Sequence, residues 1–303
     1  MRVPEIKLWT GQPDDGGEVT REFLIADVFT GNPLEGNQLG IFPDGRGLSA
    51  ELMQQVAREM NFSETVFFLP PDGTGPGASA DAHVRIFTPG SELPFAGHPT
   101  LGSAWVLGEL LGKDSVTLQL AVGLVPVQLE RDPAGEITFG RMSQPVPKIA
   151  PYDRVPELLA ALGIEAYGLP VEVYDNGPLH VYAEVASEAA LAAVTPDMQA
   201  LARLKIGAGV FTRAAGGWAY RNFVPYAGIP EDPATGSACG PLAVHLARYG
   251  RIAFGEEIEI RQGAQIQRPS VLYARADGSA EKVERVLVGG RAVVVAHGQY
   301  RLH

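Results

Sequence analysis

Two stretches nearly half a chain apart carry the same pattern, and no other feature of the sequence limits the fold as much. Aligned on glycine, PFAGHPTLGSA lies over PATGSACGPLA, which pairs Pro94 with Pro233, Gly97 with Gly236 and His98 with Ser237. Each stretch runs on into an apolar, helix-like segment that closes at a glycine, Gly112 in one case and Gly250 in the other. A repeat at that separation points to two similar halves, each a sheet around a central helix, and away from a short-period solenoid. A chance match between two Gly/Pro-rich helix entrances is the alternative. The chain has 303 residues, 46% of them hydrophobic, enough apolar surface for one large core or two medium ones.

The segments around the repeat read mostly as short strands. EFLIADVF and QLGIF flank the turn-forming TGNPLEGN, and ETVFFL, DAHVRIFT, PLHVYAEV, WAYRNFV, EEIEIRQG and RAVVVAHG follow along the chain. LSAELMQQVAREMN is an amphipathic helix, with Ser49 as N-cap, Leu52, Met53, Val56, Ala57 and Met60 on its apolar face, and Asn61 as its stop. Few helices between many strands predict an α+β protein and disfavour a doubly wound parallel sheet. The polar, Gly-rich TGQPDDGGEVTR places the start of the first strand near Glu22. The predicted organisation is therefore an extension over 1–21, a first domain over 22–143 and a second over 144–303, whose last strand can return to the first domain.

A net charge of −11 without a block of Lys or Arg argues against nucleic acid or an anionic membrane as partner, since either needs a basic field. No window approaches eighteen consecutive apolar residues, and the N-terminal residues lack the apolar core of a signal peptide, which makes the cytoplasm the expected compartment. One cysteine excludes an internal disulfide framework. GTGPGA has the wrong spacing for a nucleotide fingerprint, and the six histidines form no i,i+4 pair, so neither a dinucleotide nor a metal is expected.

Four positions carry candidate chemistry. Glu64 stands where a helix gives way to an apolar strand, a junction that can desolvate a carboxylate and suit it to proton transfer near neutral pH. His98 opens its helix beside a glycine, where it either presents a ring nitrogen to a substrate oxygen or bonds to its own loop. In EDPATGSACG an acid, small hydroxyls and glycines precede a buried helix, the composition of an anion cradle built from backbone N–H groups. Cys239 lies in the same stretch and invites a nucleophile reading, but lone cysteines are usually buried small hydrophobes. His245, in the middle of that helix, reads as a core or flank residue.

DVFTGNPLEGNQLGIF, AREMNFSET, RIFTPGSELPFAGHPTLG, YDNGPLHVY and EDPATGSACGPLAVHLARYG together resemble the PhzF-like phenazine-biosynthesis isomerases, a family of the diaminopimelate-epimerase fold. RQGAQIQRPS is similar to the corresponding segment of the phenazine-pathway members. The resemblance runs from about residue 22 to the C-terminus. It implies two pseudo-symmetric domains, each a curved, mostly antiparallel sheet around a central helix, with the active site in the cleft between them. It also implies a homodimer that acts without cofactor or metal on a small aromatic-like carboxylate, using Glu64 as general acid and base. His98, Asp232 and Ser237 carry over as the other catalytic positions, and Gly97, Gly236 and Asn37 as substrate-binding ones. Epimerases of the fold use two cysteines; here the second of those positions is Thr235 and the first half has no cysteine, which disfavours two-base epimerisation and leaves Cys239 structural. Leu179 stands where phenazine enzymes carry an arginine. The implied reaction moves a proton and the double bonds of a dihydro-hydroxyanthranilate-type cyclohexadiene carboxylate. The competing readings are a PhzF-like isomerase of another metabolite, a non-catalytic aromatic-acid-binding protein and a cysteine hydrolase.

Overall fold

A computed structural model describes residues 6, 8–9, 19–73, 77, 79–165 and 168–302. Most of the extension expected over 1–21 lies outside the described residues. The chain divides into two compact units, one up to Met142 together with Gly290–His303, the other Ser143–Gly289.

The first unit opens with β1 (Val19–Val28), which starts three residues earlier than composition indicates, and β2 (Asn37–Phe42). Then come α1 (Ala50–Met60), β3 (Glu64–Leu69), β4 (Ala82–Phe87), β5 (Glu92–Leu93) and α2 (Gly97–Leu111). The hairpin strands β6 (Ser115–Leu120), β7 (Gly123–Arg131) and β8 (Ile137–Gln144) follow. The second unit holds β9 (Lys148–Pro151), α3 (Val155–Leu162), β10 (Glu172–Asp175), β11 (Leu179–Glu184), α4 (Glu188–Ala193) and α5 (Met198–Leu204). It continues with β12 (Gly207–Ala214), β13 (Gly217–Val224), β14 (Ile229–Asp232), α6 (Gly236–Arg248), β15 (Glu257–Gln262), β16 (Ser270–Gly278) and β17 (Val283–Gly290). The last strand, β18 (Ala292–Leu302), pairs antiparallel with β1 from Val28↔Ala292 to Val19↔Leu302, and that long ladder is what returns the C-terminal segment to the first unit.

The pairing pattern settles the question the repeat raised. In the first unit β1–β2 is antiparallel, β2–β3 parallel, β3–β4 and β4–β5 antiparallel, β4–β6 parallel, and β6–β7 and β7–β8 antiparallel. In the second, β10–β11 is antiparallel, β11–β12 parallel, β12–β13 and β13–β14 antiparallel, β13–β15 parallel, and β15–β16 and β16–β17 antiparallel. The order of orientations is the same in both, with α2 and α6 inserted at equivalent points. Chance resemblance of two short motifs does not reproduce seven pairings in sequence.

Each central helix is apolar all round, the condition for burial on every side. Gly97 through Gly108 of α2 are buried without interruption, and so are Gly236 through Ala247 of α6. A Cβ on Gly102 would stand 2.6 Å from Leu39 Cδ2 and 2.9 Å from Val28 Cγ2, so the missing side chain is what lets α2 lie against β1 and β2. α1 packs its apolar face on a cluster of Phe42, Phe67 and Phe87, with Phe42 and Phe67 stacked at 4.9 Å. Its Ser49 hydroxyl accepts from the Leu52 amide at 3.2 Å, and Asn61 ends it in the left-handed region at φ 52°. The short helices α3, α4 and α5 are not in the strand-dominated sequence reading. At six to eight residues they hold their shape by packing Leu158, Leu162, Leu191, Leu201 and Leu204 into the second core, not by intrinsic propensity. No helix among the described residues is long and apolar enough to cross a membrane.

Candidate active site

In the first unit the parallel pairing of β2 with β3 sets Leu39 beside Glu64, which brings the starts of both strands near the entrance of α2. His98, the second residue of α2, fills that junction. Its Nε2 is 3.2 Å from the Gln38 carbonyl oxygen; its Nδ1 is 3.2 Å from Asn37 Nδ2 and 3.4 Å from Glu64 Oε2. Burial of the ring pushes its pKa from 6.5 down to about 3, against a smaller upward pull from the bond to Gln38. A neutral imidazole carries one proton, and a carbonyl can only accept, so the proton sits on Nε2 and is donated to Gln38. Nδ1 is then a lone pair that accepts from the Asn37 amide. Glu64 is itself 8% exposed at the first position of an apolar strand.

The second unit arranges its polar residues differently. Glu231 and Asp232 are neighbours on β14 with separate partners. Glu231 forms a two-pronged ion pair with Arg221, at 2.9 and 2.8 Å, while Asp232 Oδ2 accepts from the Thr235 hydroxyl at 2.6 Å. Gln262, at the end of β15, donates to the Asp232 carbonyl at 2.8 Å and accepts from the Thr235 amide at 3.0 Å. Ser237 is the second residue of α6, and its carbonyl accepts from Asn176 at 2.9 Å. Asp232 and Ser237 are both buried.

The phenazine biosynthesis-like protein family model matches residues 26–298. The chain belongs to that family. It is 46% identical over 278 residues to the trans-2,3-dihydro-3-hydroxyanthranilate isomerase of Pseudomonas aeruginosa, an alignment covering 91% of this chain and 98% of that one. The PhzF-family phenazine biosynthesis protein of Bacillus anthracis superposes with a TM-score of 0.80 at 26% identity, over 93% of this chain and 99% of its own. A hydroxyproline epimerase from Agrobacterium vitis shares the fold at a TM-score of 0.61 and 13% identity, over 93% of each chain. This member of the family is an enzyme, an isomerase.

The two helix entrances set this isomerase's α2 and α6 apart from its other described α-helices. α1, α4 and α5 begin with side-chain caps from Ser49, Ser187 and Asp197, and α3 has Glu157 in its first turn. α2 and α6 have neither a side-chain cap nor an acidic residue in the first turn. Their positive ends therefore point N–H groups past Gly97 and Gly236 with no negative side chain on their own first turn to answer them.

Cys239 is fully buried, and burial, aided by the nearby charge of Asp232, pushes its thiol pKa upward, the reverse of what a thiolate nucleophile requires. His245 sits in the core with its Nδ1 2.9 Å from the Tyr174 hydroxyl and its pKa pushed by burial to about 4. Asn37 directs its amide nitrogen to His98, so it orients the histidine within the first unit. Gln38 and Gln262 take part in these arrangements without being singled out as residues in the sequence, whereas Thr235 is marked there as the place of the second epimerase cysteine. For Gln262 the signal is only its place in the segment RQGAQIQRPS.

Proposed function

We propose that this isomerase moves a proton, and with it the double bonds, of a 2,3-dihydro-3-hydroxyanthranilate-type cyclohexadiene carboxylate. The C3 hydrogen of such a ring sits on the hydroxyl-bearing carbon and is activated by the adjacent diene, which is conjugated with the carboxylate. Glu64 accepts that proton and returns it to another carbon on the same ring face. The electron pair of the broken C–H bond shifts the double bonds, giving an enol that tautomerises to a ketone. No atom is gained or lost. The observation that carries the reading is the approach of Glu64 Oε2 to His98 Nδ1, with His98 Nε2 committed to Gln38. The neutral imidazole beside the carboxyl has both ring nitrogens committed, to Gln38 and to Asn37, and takes no proton of its own, so in this reading one carboxyl serves as base and then as acid.

Asp232 and Ser237 from the second half serve the same reaction in this reading. Asp232 positions the amino or hydroxyl group, and backbone N–H groups near Gly97, Gly236 and Ser237 hold the carboxylate. Because the chain's net charge is −11, attraction of an anion has to be local. The reading includes a cytoplasmic homodimer, for which light scattering should give twice the mass of one chain. Incubation with trans-2,3-dihydro-3-hydroxyanthranilate should remove its diene absorbance, and in deuterated water the recovered product shows whether Glu64 exchanges its proton with solvent during transfer. Unchanged absorbance with folded protein would remove this substrate from consideration. The exposed Leu179 makes related ring carboxylates the next ones to assay.

A further inference from the structure

Thr235 occupies the N-cap position of α6, where a threonine ordinarily turns its hydroxyl oxygen to accept from the first turn of the helix. It makes no such bond. A hydroxyl has one proton to give and two lone pairs to receive with, and all three are occupied. The proton goes to Asp232 Oδ2 at 2.6 Å; the lone pairs take Asn222 Nδ2 at 3.1 Å and Gln262 Nε2 at 3.0 Å. Both amide donors are fixed in turn. Asn222 Oδ1 accepts from the Tyr220 hydroxyl at 2.9 Å, and Gln262 Oε1 accepts from the Thr235 amide at 3.0 Å. Asn222, Gln262 and Tyr220 are each at most 2% exposed, so water does not compete for these bonds.

We infer that Gln262 and Thr235 are positioning residues for the isomerase reaction: by saturating the Thr235 hydroxyl they withhold it from the end of α6, keep the first-turn N–H groups open for a carboxylate, and aim Asp232. The inference rests on the proposed reading of Asp232 and the α6 entrance. Geometry supports the specific choice of side chains. Gln262 reaches three atoms of the turn between β14 and α6, namely the Asp232 carbonyl oxygen, the Thr235 amide nitrogen and the Thr235 hydroxyl oxygen. No side chain that lacks both an amide donor and an amide acceptor can make that set. A hydroxyl without the γ-methyl can still occupy the Thr235 position; a methyl in place of the hydroxyl cannot.

The test compares wild type, Thr235→Ser, Thr235→Val and Gln262→Met, all checked for cooperative melting, in two measurements. The first is steady-state kinetics on trans-2,3-dihydro-3-hydroxyanthranilate; the second is titration with benzoate followed at the backbone amide resonances of Gly236 and Ser237. Wild type should show benzoate-dependent shifts at both amides. Thr235→Ser should stay within about threefold of wild type in both measurements. Gln262→Met, which frees the hydroxyl to turn onto the first-turn amides, should lose at least about tenfold in benzoate affinity and in kcat/KM. Thr235→Val, which has no hydroxyl to compete, should keep its benzoate affinity and lose at least about tenfold in kcat/KM, because the hydrogen bond to the Asp232 carboxylate is gone. A solely structural role would lower the melting temperature and leave benzoate affinity and kcat/KM of the folded fraction unchanged; that result overturns the inference. So does a wild type whose Gly236 and Ser237 amides ignore benzoate, or a serine variant as impaired as the valine one. If wild type leaves the dihydro-hydroxyanthranilate untouched while the benzoate contrast among variants holds, the substrate assignment fails and the positioning role stands. If one of the two impaired variants does not fold, the other decides.

Discussion

The entrances of α2 and α6 occupy equivalent places in two units with the same strand pairing, yet they hold their polar groups in opposite ways. At α2 the position before the glycine is Ala96, whose side chain has no polar atom, and the candidate side chain, His98, is fixed from outside the helix by the backbone of Gln38 and the amide of Asn37. At α6 the equivalent position is Thr235, tied into side chains from β13 and β15, and the carboxylate comes from the strand end, Asp232. The carboxylate of the first half comes instead from β3. At the corresponding start of β12 the second half has Gly207, where a Cβ would stand 2.6 Å from His180 Nδ1. The two units present similar helix ends, and in the proposed reading the chemistry is divided between them unequally. A shared scaffold with unshared acids suits a one-base proton transfer better than a two-base epimerisation, which needs matching groups on both sides.

The largest effect that would break this division is at Glu64. Glu64→Gln keeps the size and removes the titratable oxygen, so kcat should fall at least about a hundredfold, the usual worth of a positioned acid or base, while the melting temperature stays close to wild type. Turnover near wild type in that variant would mean that the first half does not supply the base. Asp232→Asn belongs to the same comparison. It should raise KM more than it lowers kcat if the second half binds and the first half transfers protons.

Glu64 could be named as a candidate from its place beside a helix boundary and Asp232 from the motif that carries the family resemblance, and the repeat was legible because both copies kept the same Pro and Gly spacing. What holds them was not. Gln38 acts through a carbonyl oxygen, which every residue has, and Gln262 reaches Thr235 across twenty-seven positions, so neither leaves a local mark. The short helices α3 to α5 escaped for a related reason, since their stability is borrowed from a core that only the folded unit assembles.

Acid should distinguish the buried histidines from the exposed surface. Burial lowers the pKa of His98 and of His180 from 6.5 to about 3, and that of His245 to about 4. In the unfolded chain all three take up protons near pH 6.5, while in the folded chain they do not until the pH is far lower. The stability they contribute is therefore complete above about pH 6.5 and is lost as the pH falls toward the folded values. Melting temperature should decline between about pH 6.5 and 4, and the decline should be shallower in His180→Phe, whose position has no assigned part in the reaction. An equal slope in that variant would show that His180 is not a source of the acid sensitivity.

A smaller effect is expected at Cys239. Cys239→Ala removes one buried sulfur and should cost roughly 1 kcal/mol of stability with activity retained, because the thiol is held protonated in the core and takes no part in proton transfer. Loss of activity with the fold intact would restore the hydrolase reading.

The smallest effect tests why the two central helices lack side-chain caps. Ala96 has the extended backbone of an N-cap residue, φ −148° and ψ 141°, so a serine there can place its hydroxyl oxygen on the first-turn amides without moving the chain. If the bare end of α2 is only an omission, Ala96→Ser should stabilise the protein by up to about 1 kcal/mol and leave kinetics untouched, as a cap does elsewhere. If the end is kept open for a carboxylate, the same hydroxyl competes with substrate, so KM should rise a few-fold with little change in kcat, whatever happens to the melting temperature. Ser49→Ala on α1 is the control. It removes an existing cap from a helix with no assigned site and should lower stability by about 1 kcal/mol without touching KM. A KM that moves in Ala96→Ser and not in Ser49→Ala ties the missing cap to binding; equal KM values in both would return the bare helix end to structure alone.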